Sequence, residues 1–233
     1  MTTQGKIIGI SLGPGDPQLI TVKGLSALQR ADKIYYPATA GSSYSLSILQ
    51  HYDIDKGRLF PMLLEMSADR THNIDTYSTT FTKMKADCKN GLTVAFVSEG
   101  DISFYSTFVH LLRLIRAEGL PVEIIAGVSS FLAACAVHVE PLAVLKDRIA
   151  IIPLLDNSNE LEYHLLNFNT VVLIKVRRAA ELVTPFVQAG MAVMLYSEKL
   201  GTAEQFISRD PALIATRELP YFSLIILKSN LCV

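Results

Sequence analysis

Apolar runs of strand length alternate along this chain with segments of helical period, and that alternation restricts the fold more than any other feature. Residues 7–12, 92–97 and 122–126 lack strict polar alternation, as strands covered on both faces do. Residues 33–36 and 58–61 read as shorter strands. Between them, 19–31 puts Leu25 and Leu28 on one helical face, 72–89 reads as a long polar helix, and 104–117 as an amphipathic one. A second set follows, with strands at 148–153, 170–176, 191–196 and 223–228. Its helices run from Ser130, near 159–166, and over 178–189, where Pro185 lies inside and Gly190 ends the last. The pattern predicts two α/β domains with mixed sheets meeting at a cleft. The turn "AEGLP" sets the boundary, giving an N-terminal domain of 1–118 and a C-terminal domain of 119–233. A cleft between domains is a common ligand position.

Glycines stand at the ends of three of these strands: "SLGPGDPQ", 11–18; "SEGDISFYSTF", 98–108; and "AGVSSF", 126–131. The first is not a dinucleotide fingerprint, because the third glycine of GxGxxG falls at Gln18. Pro14 fixes its own φ, Pro17 has no N–H to offer a phosphate, and no GK[ST] follows. The loop reads either as a tight apolar wall that lets a ligand lie close to backbone, or as a turn in which Pro17 starts a helix. In the second loop a Gly-Asp pair precedes a helix at a strand's carboxyl end, where open α/β sheets bind ligands. Asp101 reads there as a ligand contact or as a helix-capping carboxylate. Ser129 and Ser130 of the third loop read as N-caps or as hydroxyls for a ligand. The three junctions could surround one small molecule.

Composition excludes several classes. Half of the 233 residues are hydrophobic, which is enough for a sizeable core, and the net charge is −1. Nothing global therefore calls for nucleic acid or an acidic membrane surface, and any anion must be met by a local basic cluster. The densest such run is "KVRR", with Arg177 and Arg178 as candidate substrate contacts or as a solvated helix start. The most apolar stretch, 124–145, is interrupted by Gly127, Ser129, Ser130, His138, Glu140 and Pro141, so no membrane span is expected. The N-terminus "MTTQGK" has no leader pattern. Cys88, Cys135 and Cys232 are odd in number and far apart, and read as reduced thiols of a cytoplasmic protein. No HExxH or metal-spaced cluster occurs, so no metal is expected, and His51, His72, His110, His138 and His164 are scattered.

The order and spacing of the three loops resemble the tetrapyrrole methylase family, the class III S-adenosylmethionine-dependent methyltransferases of corrin and siroheme synthesis. "GPGDPQLITVKGLSALQRADKIYYP" resembles the family's opening motif, "VAFVSEGDISFYSTF" its second, usually containing GDP, and "AGVSSFLAACA" its third. The resemblance extends through "VVLIKV" to the final "SLIILK". "IYYP", "SEGDISFYSTF" and "YSEKLGTAEQ" look most like the branch that methylates C20 of precorrin-2. Departures are Ile102 and Ala126, where proline is common, and Lys175, where many relatives carry methionine.

The resemblance implies S-adenosyl-L-methionine as methyl donor, a carboxylate-rich tetrapyrrole as acceptor, with or without cobalt, and a homodimer. Carried over residue by residue, it implies donor contacts at Pro14, Gly100, Asp101, Ser103, Phe104, Ser129, Ser130, Lys175 and Leu200. Methyl transfer from an activated sulfonium asks mainly for positioning, which supplies roughly 7–11 kcal/mol. A base or water must also take the acceptor's proton, and Asp101 and Glu99 of the second loop are the candidate bases. The competing expectations are a different ring carbon, the diphthamide branch acting on a protein histidine, or a non-catalytic adenosyl or tetrapyrrole binder.

Overall fold

The computed structural model describes residues 5–65, 73–176 and 179–232. The chain divides into two compact units, Met1–Ser129 and Ser130–Val233. In the first, strands β1 (Lys6–Ser11), β2 (Lys33–Ala38), β3 (Leu59–Leu63), β4 (Thr93–Ser98) and β5 (Val122–Ile125) form one sheet in the order β3-β2-β4-β1-β5. Every pairing in it is parallel, so the carboxyl ends of all its strands lie along one edge. Register pairs Lys6 with Thr93 and Ile7 with Val122, which sets β1 between β4 and β5.

That position explains why β1 is apolar on both sides. Ile8 and Ile10 join Ile34, Ala95 and Val97 in one layer of core with residues of helices α1 (Val22–Arg30) and α2 (Tyr44–Leu49). Ile7, Val94 and Phe96 join the other layer with α3 (Ile74–Lys89) and α4 (Phe108–Ala117). Each such buried side chain contributes about 1.5–3 kcal/mol. Gly9 belongs to the second layer. A Cβ there would lie 2.7 Å from the Phe108 ring, so the bare strand lets that ring stack on Phe96 with centroids 5.6 Å apart.

The helix expected to be polar, α3, buries Tyr77, Thr80, Phe81, Met84 and Cys88, a stripe along one helical face. Helix α1 is held at both ends. Thr21 Oγ1 accepts from the Gly24 N–H at 3.0 Å, and the Arg58 guanidinium donates to the carbonyls of Leu28, Gln29 and Ala31.

Because β5 pairs with β1, the turn at 117–121 lies inside the first unit. The division falls at Ser129 and Ser130, not at the 118/119 boundary that turn composition suggests. Pairing with a central strand outweighs the composition of the loop before it.

The second unit contains β6 (Ile149–Ile152), β7 (Thr170–Ile174), β8 (Ala192–Glu198), β9 (Phe206–Ser208) and β10 (Ser223–Ser229), ordered β6-β7-β10-β8-β9. Only β6 and β7 are parallel, so this sheet is mixed. Its helices are α5 (Ser130–His138), α6 (Ser158–Asn167), α7 (Ala179–Gln188) and α8 (Pro211–Ala215). Leu161, Leu165, Val183 and Ile214 from these helices cover Val171, Leu173, Tyr196 and Ile225. Gly190 takes φ +73° just beyond α7, the left-handed residue expected there. Together the units form the two-domain α/β architecture that the sequence implies, with mixed pairing in the second sheet and parallel pairing throughout the first.

Candidate active site at the carboxyl edge of the first sheet

Three strand ends meet at this edge, and hydrogen bonds tie them. Ser11, the last residue of β1, is fully buried. Its hydroxyl donates to the Ile125 carbonyl at 2.7 Å and accepts from the Ile102 N–H at 2.9 Å. One small side chain thus serves the ends of β5 and the loop after β4. Beyond it Gly13 and Gly100 form a two-residue antiparallel bridge, with N···O distances of 3.2 and 2.8 Å. Both adopt positive φ, +78° and +65°. A Cβ on Gly100 would meet nothing within 4 Å, so backbone faces open space at this point.

Asp101 completes the tie. Its Oδ1 accepts from the Ser103 N–H at 2.8 Å and from the Ser103 hydroxyl, and its Oδ2 accepts from the Gly127 N–H at 2.8 Å. Burial pushes the Asp101 carboxyl up, but these bonds outweigh burial and hold it below the ordinary 3.8. The carboxylate is therefore charged, and it is a loop tie more than a helix cap. It also explains why α4 starts at Phe108 and not at the expected residue 104. The chain turns on Asp101, Tyr105 takes φ +50°, and Ser106 Oγ accepts from the Phe108 N–H at 3.2 Å. Gly127 is glycine for a steric reason. A Cβ would lie 2.3 Å from Ser11 Cβ and 3.0 Å from the Gly100 carbonyl oxygen.

The first loop is held from α2 and the turn after it. Tyr44 OH donates to the Pro14 carbonyl at 3.2 Å, and Tyr52 OH to the Pro17 carbonyl at 2.7 Å. Asp16 accepts from the Gln18 N–H at 2.8 Å and caps a short helical turn, Pro17–Leu19, that begins with Pro17. Ser45, also in α2 and fully buried, donates to Glu99 Oε1 at 2.7 Å.

Of the residues expected at the site, Pro14, Gly100, Asp101, Ser103, Phe104 and Ser129 belong to this edge and its loops. Phe104 N–H bonds the Asp101 carbonyl at 3.0 Å, and its ring meets Tyr105 edge-on. Ser130, Lys175 and Leu200 belong to the second unit. Ser130 opens α5. Lys175 follows β7 with φ +59°, an uncommon conformation for a residue with a side chain. Leu200 is buried in the turn after β8. Arg177 and Arg178 lie outside the described residues. Sequence reasoning missed Ser11, Ser45, Tyr44, Tyr52 and the packing role of Gly127. The usable signal for Ser11 was a lone hydroxyl closing an otherwise apolar strand.

These residues fit a sulfonium methyl donor. Gly100 leaves open room against backbone, and ionised Asp101 sets negative charge beside it, which suits a cationic ligand. Among the described residues, no group of three His, Cys, Asp or Glu side chains could hold a metal ion, and no helix is long and apolar enough to cross a membrane.

Comparison with known proteins agrees with this geometry. A family model described as Tetrapyrrole (Corrin/Porphyrin) Methylases matches residues 6–212. The chain is 32% identical over 233 residues to the cobalt-precorrin-2 C(20)-methyltransferase of Salmonella typhimurium, with 97% of each chain covered. It is 31% identical over 234 residues to the precorrin-2 C(20)-methyltransferase of a Sinorhizobium species, covering 95% of this chain and 94% of the other. Among solved structures it resembles a cobalt precorrin-4 methyltransferase, with a TM-score of 0.73, 22% identity, and 95% and 94% of the two chains covered. The chain belongs to the tetrapyrrole methylases, a family of S-adenosylmethionine-dependent methyltransferases.

Proposed function

We propose that this protein transfers a methyl group from S-adenosyl-L-methionine to C20 of precorrin-2 or of cobalt-precorrin-2, in corrin synthesis. The observation that carries the reading is near-full-length similarity to two C20-methyltransferases, at 32% and 31% identity. When bound, the donor supplies an activated methyl on a cationic sulfur. The protein's part is to hold both reactants in near-attack geometry. In the first unit that falls to Pro14, Gly100, Asp101, Ser103, Phe104 and Ser129. Backbone exposed at Gly100 receives the donor closely, and the Asp101 tie keeps the loops from shifting under it. Ser130, Lys175 and Leu200 are further donor contacts in this reading, and Arg177 and Arg178 meet acceptor carboxylates.

Homodimerisation and a cytoplasmic setting are parts of the same proposal. An exposed apolar run in the second unit, Val139, Val144 and Leu145, supports an interface of this kind. Sedimentation would detect the dimer.

The direct test has two steps. Titration calorimetry with S-adenosylhomocysteine should show binding. Incubation with S-adenosylmethionine and precorrin-2, with and without cobalt, should then add one methyl by mass, located at C20 by carbon NMR. Binding without transfer, or a methyl at another carbon, would overturn the C20 assignment.

A further inference from the structure

Methylation of a ring-bridging carbon releases a proton, and the carboxylates at the site are unequally free to take it. Asp101 has three donors on its two oxygens, two of them backbone N–H groups, and is held below the ordinary aspartate range. A carboxylate so stabilised is a weak base, and protonating it would untie Gly127 from the second loop. Glu99 is the next carboxylate along the chain. It sits between the last residue of β4 and Gly100 of the glycine bridge, and it is half-buried.

Its hydrogen bonds are of another kind. Ser45 in α2 donates to Oε1 at 2.7 Å, and the Ser98 hydroxyl reaches Oε2 only at 3.4 Å. Among the described residues no lysine or arginine pairs with it. One oxygen is therefore oriented by a buried serine, and the other keeps lone pairs for a proton. Neither serine belongs to a loop tie that protonation would break. This is the arrangement of an aimed base: one oxygen fixed at 2.7 Å, a second held only by a long bond of 3.4 Å, and open space at the next residue.

We propose that Glu99 is the general base of the reaction and that Ser45 positions it, an inference that rests on the C20-methylation reading. In the step, the donor S–CH3 bond breaks with its electron pair left on sulfur, and the acceptor carbon's π electrons form the new C–CH3 bond. The same carbon then gives its hydrogen, as a proton, to Glu99 Oε2, and the C–H electron pair restores the π system. The products are a neutral thioether, the methylated tetrapyrrole and protonated Glu99, so charge and electrons balance with no oxidant or reductant.

The test compares Glu99→Gln, Glu99→Asp and Asp101→Asn, using S-adenosylhomocysteine affinity by calorimetry and single turnover of precorrin-2 carrying hydrogen or deuterium at C20. Glu99→Gln should keep the wild-type affinity and lose roughly 10²–10⁴-fold in turnover, the usual contribution of a general base. A primary isotope effect absent from the wild type should appear, because proton removal has become slow. Glu99→Asp should show the isotope effect with a smaller loss, and it carries the test if the glutamine variant does not fold. Asp101→Asn should instead weaken S-adenosylhomocysteine binding and raise KM, with no new isotope effect. Wild-type turnover in both Glu99 variants, or the isotope effect in Asp101→Asn alone, overturns the assignment to Glu99 and leaves the C20 reading standing. A wild-type protein that binds S-adenosylhomocysteine but leaves precorrin-2 unmethylated overturns both.

Discussion

The two units hold their strand ends by different means. The first uses one buried hydroxyl, backbone amides and a carboxylate whose donors are N–H and O–H groups, at Ser11, Gly13, Gly100 and Asp101. The second uses charge. At the end of β8 the buried Glu198 accepts from Tyr196 OH and from Arg217 at 2.7 Å, and the Arg217 guanidinium lies 4.1 Å over the Phe206 ring. The contrast follows from topology. A parallel sheet delivers several loops to one edge, where backbone groups reach each other directly. A mixed sheet sends neighbouring strand ends in opposite directions, so one end must be held by longer side chains.

The contrast can be broken hardest at Gly127. In Gly127→Ala the new Cβ collides with Ser11 Cβ and the Gly100 carbonyl, neither of which can retreat without moving a strand. We expect a loss of about 3 kcal/mol, the upper end of overpacking costs, with S-adenosylhomocysteine binding abolished. Calorimetric melting and titration read both effects, and a wild-type Tm would show that the loops are not tightly tied.

Ser11→Ala comes next. It leaves the Ile102 N–H and the Ile125 carbonyl without their partner, for about 2 kcal/mol by denaturant unfolding. Glu198→Gln should cost somewhat less, about 1.5 kcal/mol, because Arg217 is partly exposed and stays solvated. Hydrogen exchange should rise in β8 and stay unchanged in β1. A matching rise in β1 would erase the contrast.

Acidification should separate the units by pH. Burial holds the His138 ring below its ordinary 6.5, helped by Arg209 and opposed by the Tyr196 carbonyl and Glu140. Its folded value lies below its unfolded one, so its contribution is complete above pH 6.5 and declines as pH falls from there towards the folded value. For Asp101 the same sign applies, but the decline begins only near 3.8. Exchange protection should therefore weaken first in the second unit, and His138→Gln should remove that early loss. The smallest effect belongs to the exposed pairs of Glu123 with Lys6 and Lys23. Lys23→Ala should change stability by no more than about 0.5 kcal/mol, and by nothing measurable in high salt.

The sequence was most legible where burial is continuous. The apolar runs of β1, β4, β7 and β10 stand within a residue or two of their observed bounds, since a strand covered on both faces leaves little else for its residues to be. It was least legible where short elements depend on partners. Helix α2, strand β9 and helix α8 carry little periodicity of their own, and each is held by contacts that the linear chain does not announce. At the site, glycine loops can be recognised from spacing. That Asp101 is spent on Gly127 while Glu99 leans on Ser45 cannot, because both partners lie far along the chain.

The all-parallel sheet has a consequence for how the chain is made. Within its unit β1 is made before the other strands, yet its two neighbours are β4 and β5, the last two made. Until Ile125 has been made, β1 has an unpaired side that carries buried isoleucines, so the pairing is non-local and the unit's closure is slow.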